Sequence, residues 1–268
     1  MRKLIIGLLI LAGLAVVIDF SVAAYSEYRV SRALREGADL PADPAVAIGG
    51  IQFLGQGIDG RYDSVLIRAS GNQPHTPGEY ELEALLTGVR LPLSDLVDGS
   101  LRNVPVERVE SSLRIGPTEL GRLFNIPDLQ VQGRVADKSD GTGGSGGSGL
   151  TAADDEPLCL FGKLPEFSGT QYGGGKVAVQ ADLLLDGDRL NVVATGFCPK
   201  TGNEKTIPAA AIPATEHPAV LARFTRTIDI KELPFGVHPT KVRTDGGWIV
   251  VEGKGVNVTI DLDRLQRP

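Results

Sequence analysis

The sequence predicts an α+β fold that is rich in antiparallel strands and poor in helices. Four stretches alternate apolar and polar residues with a period of two, namely "EYELEALL", "DLQVQGRV", "KVAVQADLLLD" and "GVNVTIDLD". This alternation is typical of antiparallel strands with one face in water. The chain also has 34 Gly and 17 Pro but only 5% aromatic residues, which favours short strands and turns over long helices. At 268 residues it can bury a sizeable core.

The N-terminus predicts export. Two basic residues precede Leu4–Ile18, an uninterrupted apolar run of about 15 residues, which suits a secretory leader and is short for a membrane span. Small residues allow cleavage after Ala24, so residues 1–24 form either a removed signal peptide or a retained membrane anchor with Asp19 inside it. In both cases residues 25–268 are exported, and we expect them to form one domain.

Helices are predicted at four further places. An amphipathic helix from Tyr25 to about Ala38 follows the leader, because charged and apolar residues occupy opposite faces there. Gly37 and Pro41 end it. Three short helical segments lie between the strands, at residues 93–97, 117–125 and 218–224, and the last two carry a proline in the first turn.

A glycine- and serine-rich stretch, residues 137–156, predicts a flexible loop that divides the body into halves of comparable length. Residues 143–147 match the G-x-S-x-G motif of a hydrolase nucleophile, and residues 141–146 match G-x-G-x-x-G. Both motifs require a strand before and a helix after, and the surrounding sequence predicts neither. We interpret both as chance matches.

The charge of the chain excludes one class of partner. The formal net charge is -6 and the sequence holds no basic cluster. Nucleic-acid affinity comes mainly from neutralised phosphates, so we expect no nucleic-acid binding. The same charge disfavours broad electrostatic adsorption to anionic lipid.

The chain has two cysteines, Cys159 and Cys198. In an oxidising compartment such a pair usually forms a disulfide, whereas in a reducing one both would be core residues. Because export is predicted, we expect the disulfide. Neither cysteine has a Cys or His neighbour at metal-ligand spacing, so we expect no metal site.

The titratable residues form no catalytic pattern. The three histidines, His75, His217 and His238, are far apart and sit near prolines, which indicates turns. Glu79, Glu81 and Glu83 alternate along one strand, so we interpret them as a solvated face and not as an acid/base pair. The sequence therefore predicts a protein that is not an enzyme and has no cofactor.

Several motifs occur together in a characteristic order. The stretch "AVAIGGIQFLGQGIDGRYDSVLIRASG" fits the pattern I-x-G-F-P-F-L followed by G-x-Y/L-x-x-V, except that Ile51-Gln52 replaces Phe-Pro. The matching positions are Ile48, Gly50, Phe53, Leu54, Gly60, Tyr62 and Val65. Later come "LPLSDLVDG" and "IDIKELPFGVHPTKVRTDGGWIVVEGKGVNVTID". In this combination, spread over nearly the whole chain, the sequence resembles the exported actinobacterial family DUF2993.

The resemblance implies a tubular lipid-binding (TULIP)-like fold, in which an N-terminal helix lies against a curved antiparallel sheet around an apolar cavity. It also implies a phosphatidylinositol-type lipid as ligand, and assistance to a mannosyltransferase that elongates mannosylated lipids (lipomannan) in the mycobacterial envelope. Such a protein needs aliphatic walls and no catalytic group, since each buried methylene contributes about 0.8 kcal/mol. Two alternatives are a non-catalytic envelope scaffold and an enzyme acting on envelope glycans.

The site residues follow from the family motifs and from large apolar residues near them. We expect the lipid to contact six apolar side chains, those of Phe53, Leu54, Leu123, Phe124, Leu233 and Phe235. An anionic head group on an acidic protein needs local cations. The nearest cations in sequence are Arg61, Arg122, Lys231 and Lys241.

Overall fold

The computed structural model describes residues 2–37, 40, 42–73, 76–98, 103–133, 158–163, 175–198, 206–230 and 233–261. Several predictions fall outside these residues: the glycine-rich loop at 137–156, His75 and Lys231. The side chain of Glu79 is likewise not described.

The described residues form five helices and eleven strands. The helices are α1 (Arg2–Gly37), α2 (Phe53–Asp59), α3 (Leu93–Asp98), α4 (Pro117–Phe124) and α5 (His217–Arg223). The strands are β1 (Ala45–Gly49), β2 (Arg61–Gln73), β3 (Thr76–Arg90), β4 (Asn103–Ile115), β5 (Gln130–Gln132), β6 (Leu158–Lys163), β7 (Lys176–Asp186), β8 (Arg189–Phe197), β9 (Arg226–Asp229), β10 (Pro239–Asp245) and β11 (Trp248–Asp261).

The strands pair antiparallel and form two sheets. The six-stranded sheet has the order β1-β2-β3-β4-β11-β10, and the five-stranded sheet has the order β5-β6-β7-β8-β9. The predicted α+β, β-rich class with an N-terminal helix is therefore confirmed. The chain leaves the first sheet after β4, where Pro117 opens α4, because proline cannot donate a ladder hydrogen bond and suits the first turn of a helix.

Helix α1 is one continuous helix. The amphipathic segment predicted from Tyr25 is its last part, because no helix-breaking proline separates that segment from the leader. Its first half is exposed and apolar, and the helix is long and apolar enough to cross a membrane by length and composition. Its second half packs on the protein, where Val30 and Leu34 are buried.

The alternation predicted from the sequence describes the inner and outer faces of most strands. In β3, Tyr80 and Ala84 are buried, whereas Glu81 and Glu83 point outward. One break occurs in β11. The alternation in "GVNVTIDLD" predicts Val256 on the inner face with Val258 and Ile260, but Val256 is 69% exposed. Asn257 next to it has φ 52°, in the left-handed region, and this disturbs the period-two geometry.

Cys159 and Cys198 form a disulfide, as predicted. Cys159 lies in β6, and Cys198 directly follows β8, so the bond ties two strands that flank β7. The backbone N–H of Cys198 donates to the carbonyl of Ala178 in β7 at 3.0 Å, which continues the sheet contact past the end of β8.

Candidate functional site

A pocket lies between α1 and the inner face of the six-stranded sheet. Its cavity volume is about 50 Å³. Every residue that lines it is apolar, and all but one are aliphatic: Val30, Leu34, Ile48, Val65, Ile67, Leu86, Val89, Leu91, Leu96, Val104, Phe235 and Ile260. The lining therefore offers only apolar contacts, with no side chain that could donate a proton or bind a metal.

The register of the sheet builds the floor of this pocket. Ile48 of β1 lies opposite Val65 of β2, and Val65 lies opposite Leu86 of β3. Directly paired residues in a sheet share one face, so these three side chains form a row across the strands. The period-two pattern of each strand thus becomes a continuous apolar surface under α1.

Hydrogen bonds from three residues of α1 help to hold this helix over the floor. The Glu27 carboxylate accepts from the backbone N–H of Ile48 at 2.8 Å. The Ser31 hydroxyl donates to the carbonyl of Pro44 at 2.7 Å. The Arg29 guanidinium donates to the carbonyl of Asp98, at the end of α3, at 2.6 Å. The roof is therefore fastened at its two sides, to β1 and to α3.

Phe235 is the one aromatic residue in the lining. It lies in a short 3-10 turn, Pro234–Gly236, and has φ 66° and ψ 28°. This left-handed conformation is rare for a bulky side chain and is costly unless the surroundings enforce it. A hydrogen bond between the N–H of Leu233 and the carbonyl of Val237 closes the turn at 2.9 Å. The half-buried ring is thereby held at the pocket.

The structure places the six predicted lipid contacts in different surroundings. Phe235 lines the pocket, and the other five do not belong to its lining. Phe53 is buried in α2 with its ring centroid 5.7 Å from that of Tyr62, and Leu54 beside it is half-buried. In α4, Phe124 is buried and Leu123 half-buried, and Leu233 is buried beside the Phe235 turn.

The described cations of the predicted head-group set lie outside the lining as well. Arg61 forms an ion pair with Glu107 at 3.2 Å on the outer face of the sheet. Arg122 lies 3.6 Å from Glu119 in α4. Lys241 is exposed in β10 and also interacts with other groups.

Of the other titratable groups, the glutamates of β3 whose side chains are described lie on a solvated face, as predicted, whereas His217 opens α5 and does not lie in a turn. Glu81 pairs with Arg114 and Glu83 with Arg68 on the exposed face. The ring of His217 contacts the carbonyl of Ile212. His238 is exposed beside Asp188. Within the described ranges, no group of three His, Cys, Asp or Glu residues could hold a metal ion.

Glu119 is the exceptional carboxylate. Its side chain is 2% exposed, and neither oxygen has a hydrogen-bond partner among the described residues. Burial raises the pKa of Glu119 above its ordinary value, and the Arg122 guanidinium opposes this shift. Glu119 is outside the pocket lining. We interpret Glu119 as a structural residue of α4, the helix that contacts both β3 and β5.

Most of the lining could not be identified from the sequence. Residues such as Val65, Leu86 and Val89 stand out as apolar strand positions. The period-two pattern does not distinguish a residue that lines a pocket from an ordinary core residue. The useful signal was the Leu-Pro-Phe-Gly motif around Phe235.

Comparison with known proteins adds one match. The LmeA-like phospholipid-binding family matches residues 17–254 of the chain. No curated protein and no solved structure matches the chain.

Proposed function

The chain belongs to the LmeA-like phospholipid-binding family, and from this premise we propose that its apolar pocket holds the acyl chains of a phosphatidylinositol-type lipid. The observation that supports the proposal is the lining itself, twelve apolar residues contributed by α1, the sheet and the segments beside them. Each methylene buried there contributes about 0.8 kcal/mol, so affinity needs no polar group inside.

The size of the pocket implies that it widens on binding. Ligand pockets usually measure roughly 300–1,000 Å³, and this one measures about 50 Å³. The sheet is the stiffer side because its strands are joined by continuous ladders. The roof is attached by individual side-chain contacts of α1, among them the hydrogen bonds of Glu27, Arg29 and Ser31. We therefore propose that the second half of α1, α3 and the Phe235 turn move apart when an acyl chain enters.

The proposed biological role is non-catalytic. The protein would present a lipid to a mannosyltransferase during elongation of mannosylated envelope lipids such as lipomannan, in an exported, membrane-associated form. The resemblance of the motifs supports this role, and the disulfide fits an oxidising, exported location. Arg61, Arg122, Lys231 and Lys241 remain the candidates for the head group, and the three described ones lie outside the pocket lining.

The decisive experiment is mass spectrometry of lipid extracted from the full chain purified from an actinobacterial envelope. We expect phosphatidylinositol-type lipid at about one molecule per protein. Phe235→Asp should abolish this lipid, because a charge would then stand in an apolar space at a cost of several kcal/mol. Phe235 is half-buried and Asp tolerates left-handed backbone, so this variant should fold.

The matched control is Glu81→Lys, which places a new charge on the exposed face of β3 and should leave lipid content unchanged. Protein that is folded but carries no lipid would favour the envelope scaffold. Turnover of a glycolipid by the purified protein without a glycosyltransferase would favour an enzyme.

A further inference from the structure

Asp19 links the apolar half of α1 to the folded domain. Its carboxylate accepts two hydrogen bonds, from the backbone N–H of Phe53 at 3.0 Å and from that of Leu54 at 2.7 Å. These amides open α2 and have no partner inside that helix. Gln52, at the capping position of α2, makes no side-chain cap bond. A residue from another helix therefore caps α2.

Other residues before the possible cleavage point also belong to the domain. Val22 and Ala23 pack against the hydrophobic core. The family match begins at residue 17, which includes Asp19. Cleavage after Ala24 would remove Asp19, Val22 and Ala23 together. It would leave the two opening amides of α2 uncapped, at a cost of about 1 kcal/mol or more.

Two large aliphatic side chains, one in α2 and one just before it, are exposed to solvent. Ile51 is 87% exposed and Ile58 is 83% exposed, and Phe20 on α1 is 71% exposed. The Asp19 bonds hold α2 beside the point where the apolar run of α1 ends. The run Leu4–Ile18 spans roughly 22 Å at 1.5 Å per residue, less than the ~30 Å hydrocarbon core of a bilayer. A helix this short draws the residues that follow it into the membrane interface.

We infer that residues 2–24 remain on the mature protein as a membrane anchor, and that Ile51 and Ile58 rest in the bilayer surface beside it. The contact is apolar, which suits an acidic chain that anionic lipid would not attract. The continuous helix also sets the distance between the pocket and the membrane. Val30 and Leu34 follow Asp19 by 11 and 15 residues, which places them roughly 17–22 Å along the helix from the interface. The inference does not depend on which ligand the pocket binds.

The first test is the N-terminus of the full chain, expressed in an actinobacterial host and extracted from membranes. Intact mass should show that the apolar run is still present. A mature N-terminus at Tyr25, or anywhere after Ile18, would overturn the inference.

The second test measures contact with the bilayer. Trp248 is the single tryptophan, so Trp248→Phe gives a background in which an added tryptophan can be followed. The full chain is placed in phosphatidylcholine vesicles with brominated acyl chains, which quench tryptophan on contact. Ile58→Trp should lose at least half of its fluorescence. The control is Leu184→Trp, at a 54% exposed leucine of β7, which should lose little.

Equal quenching of the two added tryptophans would overturn the surface contact. If Trp248→Phe does not fold, Ile58→Trp and Leu184→Trp are each made separately in the native chain. The fluorescence of the unmodified protein is then subtracted from that of each variant. The same comparison then decides the result.

Discussion

The two sheets have the same alternating strands but differ in how their inner faces are covered. In the six-stranded sheet, Val65 and Ile67 keep 6% and 8% of their surface exposed and border a pocket. In the five-stranded sheet, Val179, Ala181 and Leu190 have no exposed surface. Within the described residues, a pocket borders the inner face of the first sheet, whereas these three side chains of the second sheet are fully enclosed by their neighbours.

The difference follows from the covering elements. A sheet twists, and a long helix such as α1 cannot follow the twist across several strands, so space remains beneath it. The five-stranded sheet is covered by short segments that adapt more closely. Gly162 in β6 shows how close they come, since a Cβ at this position would collide with Ile126 and contact Phe224. In this protein the pocket therefore lies where a long helix covers the strands, and not where several short segments do.

The largest expected effect concerns the disulfide of the five-stranded sheet. Replacing both Cys159 and Cys198 with Ser should lower the free energy of unfolding by about 3–4 kcal/mol, because the bond closes a long loop in the unfolded chain. Urea denaturation measures the loss. Hydrogen exchange should show weaker protection in β6–β8 and near-normal protection in β2–β4. An equal loss of protection in both sheets would show that they unfold as one unit.

A second experiment adds one methylene to each inner face. Val179→Leu should destabilise the protein by about 1–3 kcal/mol, because the fully buried site has no room. Val65→Leu should be neutral or stabilise by up to about 0.8 kcal/mol, because the pocket accepts the extra group. Thermal unfolding of the two variants gives the difference directly. Similar losses in both would contradict the proposed contrast in packing.

The smallest effect concerns α4, which lies between the two sheets. The pKa of Glu119 is raised above its ordinary value of 4.5 in the folded protein. Ionisation of this carboxyl therefore lowers the free energy of unfolding as the pH rises from 4.5 through the folded-state pKa. Below pH 4.5 the group is protonated and has no such cost. Glu119→Gln should therefore stabilise the protein by about 1 kcal/mol at pH 7, or roughly 2–4 °C in Tm, and much less at pH 4.

The matched control for this prediction is Glu83→Gln, at an exposed carboxylate paired with Arg68. It should change Tm little at either pH, since exposed ion pairs contribute roughly 0–1 kcal/mol. A gain from Glu119→Gln that is the same at both pH values would mean that packing, and not ionisation, is responsible.

Local chemistry in the sequence determined the elements of this protein. Pro117 predicted the start of α4, and the segments predicted at 93–97 and 218–224 lie within one residue of α3 and α5. The period-two pattern placed Tyr80 on the inner face and Glu81 on the outer face of β3. The predicted export indicated that the two cysteines form a disulfide. These features depend on neighbouring residues or on the compartment, so they can be predicted without knowing which strands pair.

Only the tertiary structure decided what each apolar face packs against. β4 pairs with β11 across more than a hundred residues, and this pairing sets Val104 opposite Ile260 at the pocket. Five of the six predicted contacts lie outside the lining, because a family motif and the size of an apolar side chain do not show which element covers that side chain. The sequence shows Asp19 only as a charged residue inside a possible membrane anchor, and its contact with α2 depends on the tertiary structure that brings α2 back to α1. Long-range contacts of this kind carry no local signature, since their partners are set by the packing of the whole chain.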